Sequence, residues 1–157
     1  EMAYVPRENL VAVGFFEGKV ALYDLKTHEE VSFILTDYFA SNINSILYIE
    51  GTNKIIVKVS EGTLREYELR NKMLHYTEEY DLGNNLALFP IPTTNNVFVT
   101  TNTSSILLLD LSRRSIQEIE TNLNSTANIG LDFKRNRILV TDAVHGRFSS
   151  FHWKLQQ

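Results

Sequence analysis

Residues 12–25 read AVGFFEGKVALYDL: a small apolar run, a Glu-Gly turn, a second apolar run, then Tyr-Asp-Leu. Met once, this is a β-hairpin. Met several times at a fixed interval, it decides the fold. LVAVGFFEGKVALYDL (10–25) aligns with KIIVKVSEGTLREYEL (54–69), NVFVTTNTSSILLLDL (96–111) and RILVTDAVHGRFSSFHW (137–153). Leu25, Leu69, Leu111 and Trp153 fall in register, separated by 44, 42 and 42 residues.

Each unit has a further apolar run upstream: MAYV (2–5), SILYIE (45–50), LALFPI (86–91) and NIGLDF (128–133). Three have another downstream: VSFIL (31–35), LHYTEEY (74–80) and IQEIE (116–120). Short strands recurring with a period near 42 residues are the pattern of propeller blades. The connectors agree. PREN, GTN, PTTNN and KRN are turn chemistry, since Pro presets its backbone angle and Gly and Asn accept positive φ. EG, SEG, TNTSS and AVHG have hairpin lengths, too short for parallel crossovers. The inner runs KIIV, VFV, ILLL and RILV are nearly continuous in apolar residues, which predicts strands buried on both faces. Residues 63–80 also fit a helix with Leu64, Tyr67, Leu74 and Tyr76 inward, but the repeat register assigns them to two strands. The expected fold is all-β, a propeller arc of about four blades of antiparallel strands, at roughly 1–36, 44–80, 86–120 and 127–157.

That hairpin resembles the WD-repeat pattern, in which a polar turn precedes an apolar strand ending Trp-Asp. Tyr23-Asp24 stands in the Trp-Asp place, as do Tyr67-Glu68 and Leu109-Asp110, while Phe151-His152 departs from it. The turn acid survives as Glu17 and Glu61, and the Gly-His pair is absent. The resemblance implies closed rings of six to eight blades that act as scaffolds in multi-protein assemblies. Four first, second and third strands accompany only three fourth strands, so the chain is expected to form part of a larger ring, completed by blades of the same or another chain.

Composition bounds the function. Hydrophobic residues make up 43% of the 157, enough for a respectable core, and the net charge of −4 supplies no general attraction to nucleic acid. With no cysteine, disulfides and thiolate metal sites are excluded. No apolar stretch reaches the ~18 residues of a membrane span. The expected location is the cytoplasm or nucleus, with protein subunits as partners rather than nucleic acid or membrane. No phosphate loop, nucleophile elbow or zinc-binding helix occurs, so no catalytic residue, cofactor or metal is expected. His28, His75, His145 and His152 lie in separate elements, and the neighbours Glu78 and Glu79 point to opposite faces of a strand. Asp24, Asp110 and Glu68 are expected to hydrogen-bond locally at strand ends.

Two surfaces remain. First-to-second and third-to-fourth turns share a lower rim, and the remaining connections an upper rim. The lower rim holds 11 of the 15 Lys and Arg residues. Arg113, Arg114, Lys134, Arg135 and Arg137 are expected to form one anion-binding patch there, an alternative function being docking on acidic lipid, nucleic acid or acidic peptide. On the upper rim, Phe15-Phe16 and Tyr38-Phe39 are candidate partner anchors. Against that role, one ring of each pair is expected to plug the core while the other covers a blade junction.

Overall fold

The structure is a computed structural model, and it describes residues 1–37, 43, 45–83, 85–132, 134–142 and 144–152. Its described residues form strands, turns and two short 3-10 turns, with no α-helix. The strands make four antiparallel sheets in simple up-and-down order. The first holds β1 (Met2–Val5), β2 (Leu10–Gly14), β3 (Lys19–Asp24) and β4 (Glu30–Leu35); the second holds β5 (Ser45–Ile49), β6 (Lys54–Lys58), β7 (Thr63–Arg70) and β8 (Met73–Asp81). The third holds β9 (Asn85–Pro90), β10 (Asn96–Thr101), β11 (Ser105–Asp110) and β12 (Ser115–Glu120); the last holds β13 (Thr126–Asp132), β14 (Arg137–Asp142) and β15 (Phe148–His152). Residues 63–80 are therefore two strands and not a helix. The chain divides into two units, the first two sheets in one and the last two in the other.

In the first unit, one face of the β1–β4 sheet builds the core. Val5, Leu10, Ala12, Val20 and Leu22 are buried in one cluster with Ile43, Ile46, Ile55, Val57, Val59, Tyr67, Leu69 and Leu74. Strand pairing fixes which residues share that face: Ala12 opposes Leu22, and Val20 opposes Ile34. Each side chain of this kind taken out of water contributes about 1.5–3 kcal/mol. Gly14 lies at the edge of the packing. A Cβ built there would come 2.3 Å from Cγ2 of Ile43 and 2.6 Å from its Cβ, so only glycine lets the next sheet approach.

The opposite face of the same sheet is open along its outer strands, β1 and β4. Met2, Tyr4, Phe33 and Leu35 are 68, 54, 55 and 57% exposed, and the register puts Met2, Val13, Ala21 and Phe33 in one cross-strand row.

In the second unit, Phe98 and Ile106 of the third sheet cluster with Ile129, Ile138 and Val140 of the last. At one end a buried hydroxyl network joins the two sheets. The Thr101 amide donates to Thr126 Oγ1 at 3.0 Å, the Thr126 amide to the Thr103 carbonyl at 3.0 Å, and Thr101 Oγ1 to the Ser105 carbonyl at 2.7 Å. Strand β14 departs from the sequence reading. Its continuous apolar run predicts burial on both faces, yet Ile138 and Val140 are buried while Leu139 and Thr141 are exposed. Ile138 and Val140 join the core with the third sheet; the other face shares its rows with Gly130, Ser150 and Phe148 and stays open to solvent.

One backbone contact recurs in three sheets. An amide at the end of the third strand donates to an Asn carbonyl in the turn between the first two: Leu25 to Asn9 at 3.0 Å, Leu69 to Asn53 at 2.7 Å, Leu111 to Asn95 at 2.8 Å. These are three of the residues that mark the repeat in the sequence. Trp153 lies outside the described residues. At the other end the amide following the fourth strand donates to the hairpin between the second and third: Thr36 to Gly18, Leu82 to Gly62, Thr121 to Ser104.

Two consequences are measurable. Gly14→Ala should destabilise the fold by about 1–3 kcal/mol, lowering the midpoint of thermal unfolding by roughly 3–10 °C. A polypeptide of these 157 residues should self-associate in sedimentation velocity through its open β1–β4 face, and replacing Phe33 and Leu35 with Ser should reduce that association without loss of strand content by circular dichroism.

Candidate functional site

The upper turn of the first sheet is built from Phe15 to Gly18. Glu17 adopts φ 60° and Gly18 φ 73°, and the turn is closed by the Phe15 amide on the Lys19 carbonyl at 2.9 Å and the Thr36 amide on the Gly18 carbonyl at 2.9 Å. This conformation throws both rings outward: Phe15 is 38% exposed and Phe16 75%. The expectation that one of them plugs the core is therefore wrong. The core position beside them is taken by Ile43, whose amide donates to the Phe15 carbonyl at 3.2 Å and whose side chain packs on Gly14. Lys19 places its ammonium 5.5 Å from the centroid of the Phe15 ring and 4.8 Å from that of Phe33, and it pairs with Glu30 at 2.9 Å. The other aromatic pair, Tyr38 and Phe39, lies outside the described residues.

The five basic residues are exposed, and the topology puts them at one end of the second unit. Strand β13 begins beside the end of β10, joined by the Thr101–Thr126 contacts, so it ends at the rim where β11 ends. Arg113 and Arg114 thus share a rim with Lys134, Arg135 and Arg137. The sequence reading of this rim overlooked the acids at the strand ends. Arg113 pairs with Asp110 at 3.8 Å and Arg135 with Asp132 at 3.1 Å, which offsets part of the positive charge.

Those acids have a common task. Asp24 Oδ1 accepts from the Lys26 amide at 2.8 Å, Asp81 Oδ1 from Gly83 at 3.2 Å, Asp110 Oδ1 from Ser112 at 2.9 Å and Asp142 Oδ1 from Val144 at 2.7 Å. Each closes the turn after its strand. Glu68 instead pairs with Arg70. The Lys72 ammonium, then the Lys26 amide, hold the Asp24 carboxyl below the ordinary 3.8. The Arg135 guanidinium does the same for Asp132, and the Val144 and His145 amides for Asp142. At Asp110 burial pushes upward, but the Ser112 hydroxyl and the Arg113 and Ser112 amides outweigh it. Among the described residues no three His, Asp or Glu side chains gather as metal ligands.

A third feature was not anticipated. Between the outer strands of the first two sheets runs a groove of about 460 Å³, lined by Ile34, Leu35 and Asp37 on one side and Arg65, Tyr67, Leu74 and Tyr76 on the other. Its lower end is pinned by Ser32 Oγ on the Lys72 carbonyl at 2.6 Å and by Lys72 Nζ on Asp24 at 3.0 Å. At its upper end Arg65 Nε donates to Glu79 Oε2 at 2.7 Å, and both terminal nitrogens reach Asp37 Oδ2 at 3.3 and 3.4 Å. The guanidinium sits 5.3 Å from the Tyr76 ring centroid, and Tyr76 meets Tyr67 edge to face at 6.2 Å. Burial works against the Arg65 charge, but its hydrogen bonds to Glu79, Tyr67 and Asp37 prevail and raise its pKa.

Strand alternation hides this constellation. Arg65 and Tyr67, two apart, share a face, but Tyr76 and Glu79, three apart, should not. Pairing shifts at Glu66/Tyr67: Glu66 opposes Glu78, Tyr67 opposes Tyr76, and Thr77 is the extra residue. Thr77 Oγ1 lies 2.8 Å from Glu66 Oε1 and 3.1 Å from the Glu66 carbonyl, beside Tyr80 OH on Oε2 at 3.0 Å and Lys54 Nζ at 3.1 Å. That bulge turns Tyr76 and Glu79 to the same side.

No family model and no curated protein matches the sequence. Solved structures do. The chain is similar to the Cps50 (Swd1) beta-propeller domain of Myceliophteria thermophila at 13% identity and TM-score 0.82, covering 98% of this chain and 50% of that one. It is similar to Hsv2 of Kluyvelomyces marxianus at 16% identity and TM-score 0.72, covering 97 and 48%. It is also similar to the RRP9 WD40 repeats at 10% identity and TM-score 0.67, covering 88 and 41%. The fold is that of a β-propeller arc resembling WD40 domains, and the chain spans about half the length of the propeller chains it matches.

The depressed aspartate pKa values set an acid limit. A folded-state value below the unfolded one contributes stability that is complete above the unfolded value and lost as pH falls through the folded one. The unfolding midpoint should therefore hold steady down to about pH 5 and drop below about pH 4. Asp132→Asn, which keeps a turn acceptor but cannot titrate, should show a shallower drop in thermal melts across that range.

Proposed function

We propose that this chain is a non-enzymatic protein–protein interaction scaffold in a multi-protein assembly of the cytoplasm or nucleus. The observation that carries the reading is Phe16: a 75% exposed aromatic ring on a turn held at both ends by backbone hydrogen bonds. A ring presented on a fixed turn loses little freedom on binding, which is why such residues anchor interfaces. The open β1–β4 face has a different use. Its rows of Met2, Tyr4, Phe33 and Leu35 have the character of the buried face behind them, and a further blade of the ring is the partner that fits. Two observations support a non-catalytic role. The strand-end carboxylates are engaged in closing turns, and the rim cations Arg113 and Arg135 carry their own counter-charges. Among the described residues no helix is long and apolar enough to cross a membrane.

Phe16→Ser in the tagged intact protein tests the reading. Capture of co-purifying proteins should fall at least about fivefold while the melting midpoint stays within about 2 °C, since surface changes of this kind alter stability by under ~0.5 kcal/mol. Undiminished capture would exclude the Phe16 turn as the contact surface.

A further inference from the structure

We infer that the groove between β4 and β8 is a docking site for an extended basic segment of another protein, one that carries an arginine or lysine beside a hydrophobic side chain. The inference extends the scaffold reading to a second surface and does not depend on Phe16.

Charge and shape both point to this occupant. Among the described lining residues Arg65 is the one cation; it has only 16% of its side chain exposed and is already held by Glu79 and Asp37. The carboxylates outnumber it and face solvent. Asp37 is 82% exposed and only loosely held, at 3.3 and 3.4 Å, and Glu79 is 36% exposed. Asp81, exposed, follows Glu79 on the same face of β8. Lys19 of the first sheet, the cross-strand partner of Leu35, is already paired with Glu30 and lies over the Phe15 and Phe33 rings. The mouth of the groove therefore carries net negative charge. Its floor is apolar: Leu74 is buried, and Leu35 on the other wall is 57% exposed. Tyr76, also 57% exposed, offers a ring to a cation, as it already does to Arg65.

The lower end is closed by Lys72, so a segment enters from the Asp37 end. An arginine or lysine laid there would run its methylene stem over Leu35 and Tyr76 and bring its charge to Asp37 and Glu79. The volume of about 460 Å³ holds more than one side chain, which leaves room for the hydrophobic neighbour against Leu74.

Fluorescence anisotropy with the intact protein tests this. The probe is a fluorescein-labelled peptide alternating arginine and leucine, against one with glutamate in place of arginine. The arginine peptide should bind and the glutamate peptide should not. Asp37→Asn should weaken binding about tenfold and Tyr76→Ala by a similar factor, while Phe16→Ser and Glu8→Gln, an exposed acid elsewhere, leave it unchanged. Asp37 is so exposed that its substitution keeps the test valid even if Tyr76→Ala fails to fold. Failure of the scaffold reading would show instead as undiminished capture by Phe16→Ser. Equal binding by wild type and Asp37→Asn, equal loss with Glu8→Gln, or preference for the glutamate peptide would each overturn the proposal.

Discussion

Leu10, Ala12, Val20 and Leu22 of one sheet lie in a single buried cluster with Ile46, Ile55 and Val57 of the next, and this face-to-face burial constrains every other part of the first unit. The sheets must approach closely, so Gly14 cannot carry a Cβ against Ile43. Backbone groups at the ends of buried strands must find partners within the protein, because an unpaired buried polar group is costly. The recurring amide contacts of Leu25, Leu69 and Leu111 to Asn carbonyls, and the aspartates that close the following turns, supply them.

The same constraint produces the surfaces. A sheet fixed by its core face cannot turn its other face inward, so Met2, Tyr4, Phe33 and Leu35 stand in solvent. A turn tied at both ends cannot collapse, so Phe16 projects. Two sheets pinned together at one rim by Ser32 and Lys72 leave a groove toward the other, which Arg65 spans by bridging Glu79 to Asp37. None of these features needs a reactive group. All of them place fixed chemistry at the surface.

The fold class was legible because it rests on two short-range signals, the alternation of apolar runs with turn residues and their recurrence at 44, 42 and 42 residues. The roles of Asp24 and Asp110 were legible too, since an aspartate before a turn accepts from the amide two residues on. The exposure of Phe15 and Phe16 was not. An aromatic pair beside a hairpin reads equally as core or as surface, and Ile43, almost thirty residues away in sequence, decided it. The balance of the basic rim was misjudged for a related reason: Asp110 and Asp132 were counted with their strands, while their carboxylates reach into the turns and meet Arg113 and Arg135.

The sequence by itself determined that this chain is made of repeated antiparallel hairpins without the residues of a known catalytic motif, because strand periodicity, turn chemistry and composition are local properties of the chain. Only the tertiary structure decided which faces are open and which side chains meet. Strand β14 shows the first: its apolar run predicts cover on both faces, yet Ile138 and Val140 are buried while Leu139 is 39% exposed, because packing and not the run sets which face meets another sheet. The groove shows the second. One extra residue, Thr77, breaks the two-residue alternation of β8 and brings Tyr76 and Glu79 under Arg65, while Asp37 arrives from another sheet. A bulge depends on pairing between strands and a bridge between sheets on their packing, and neither is written in the order of residues along a single strand.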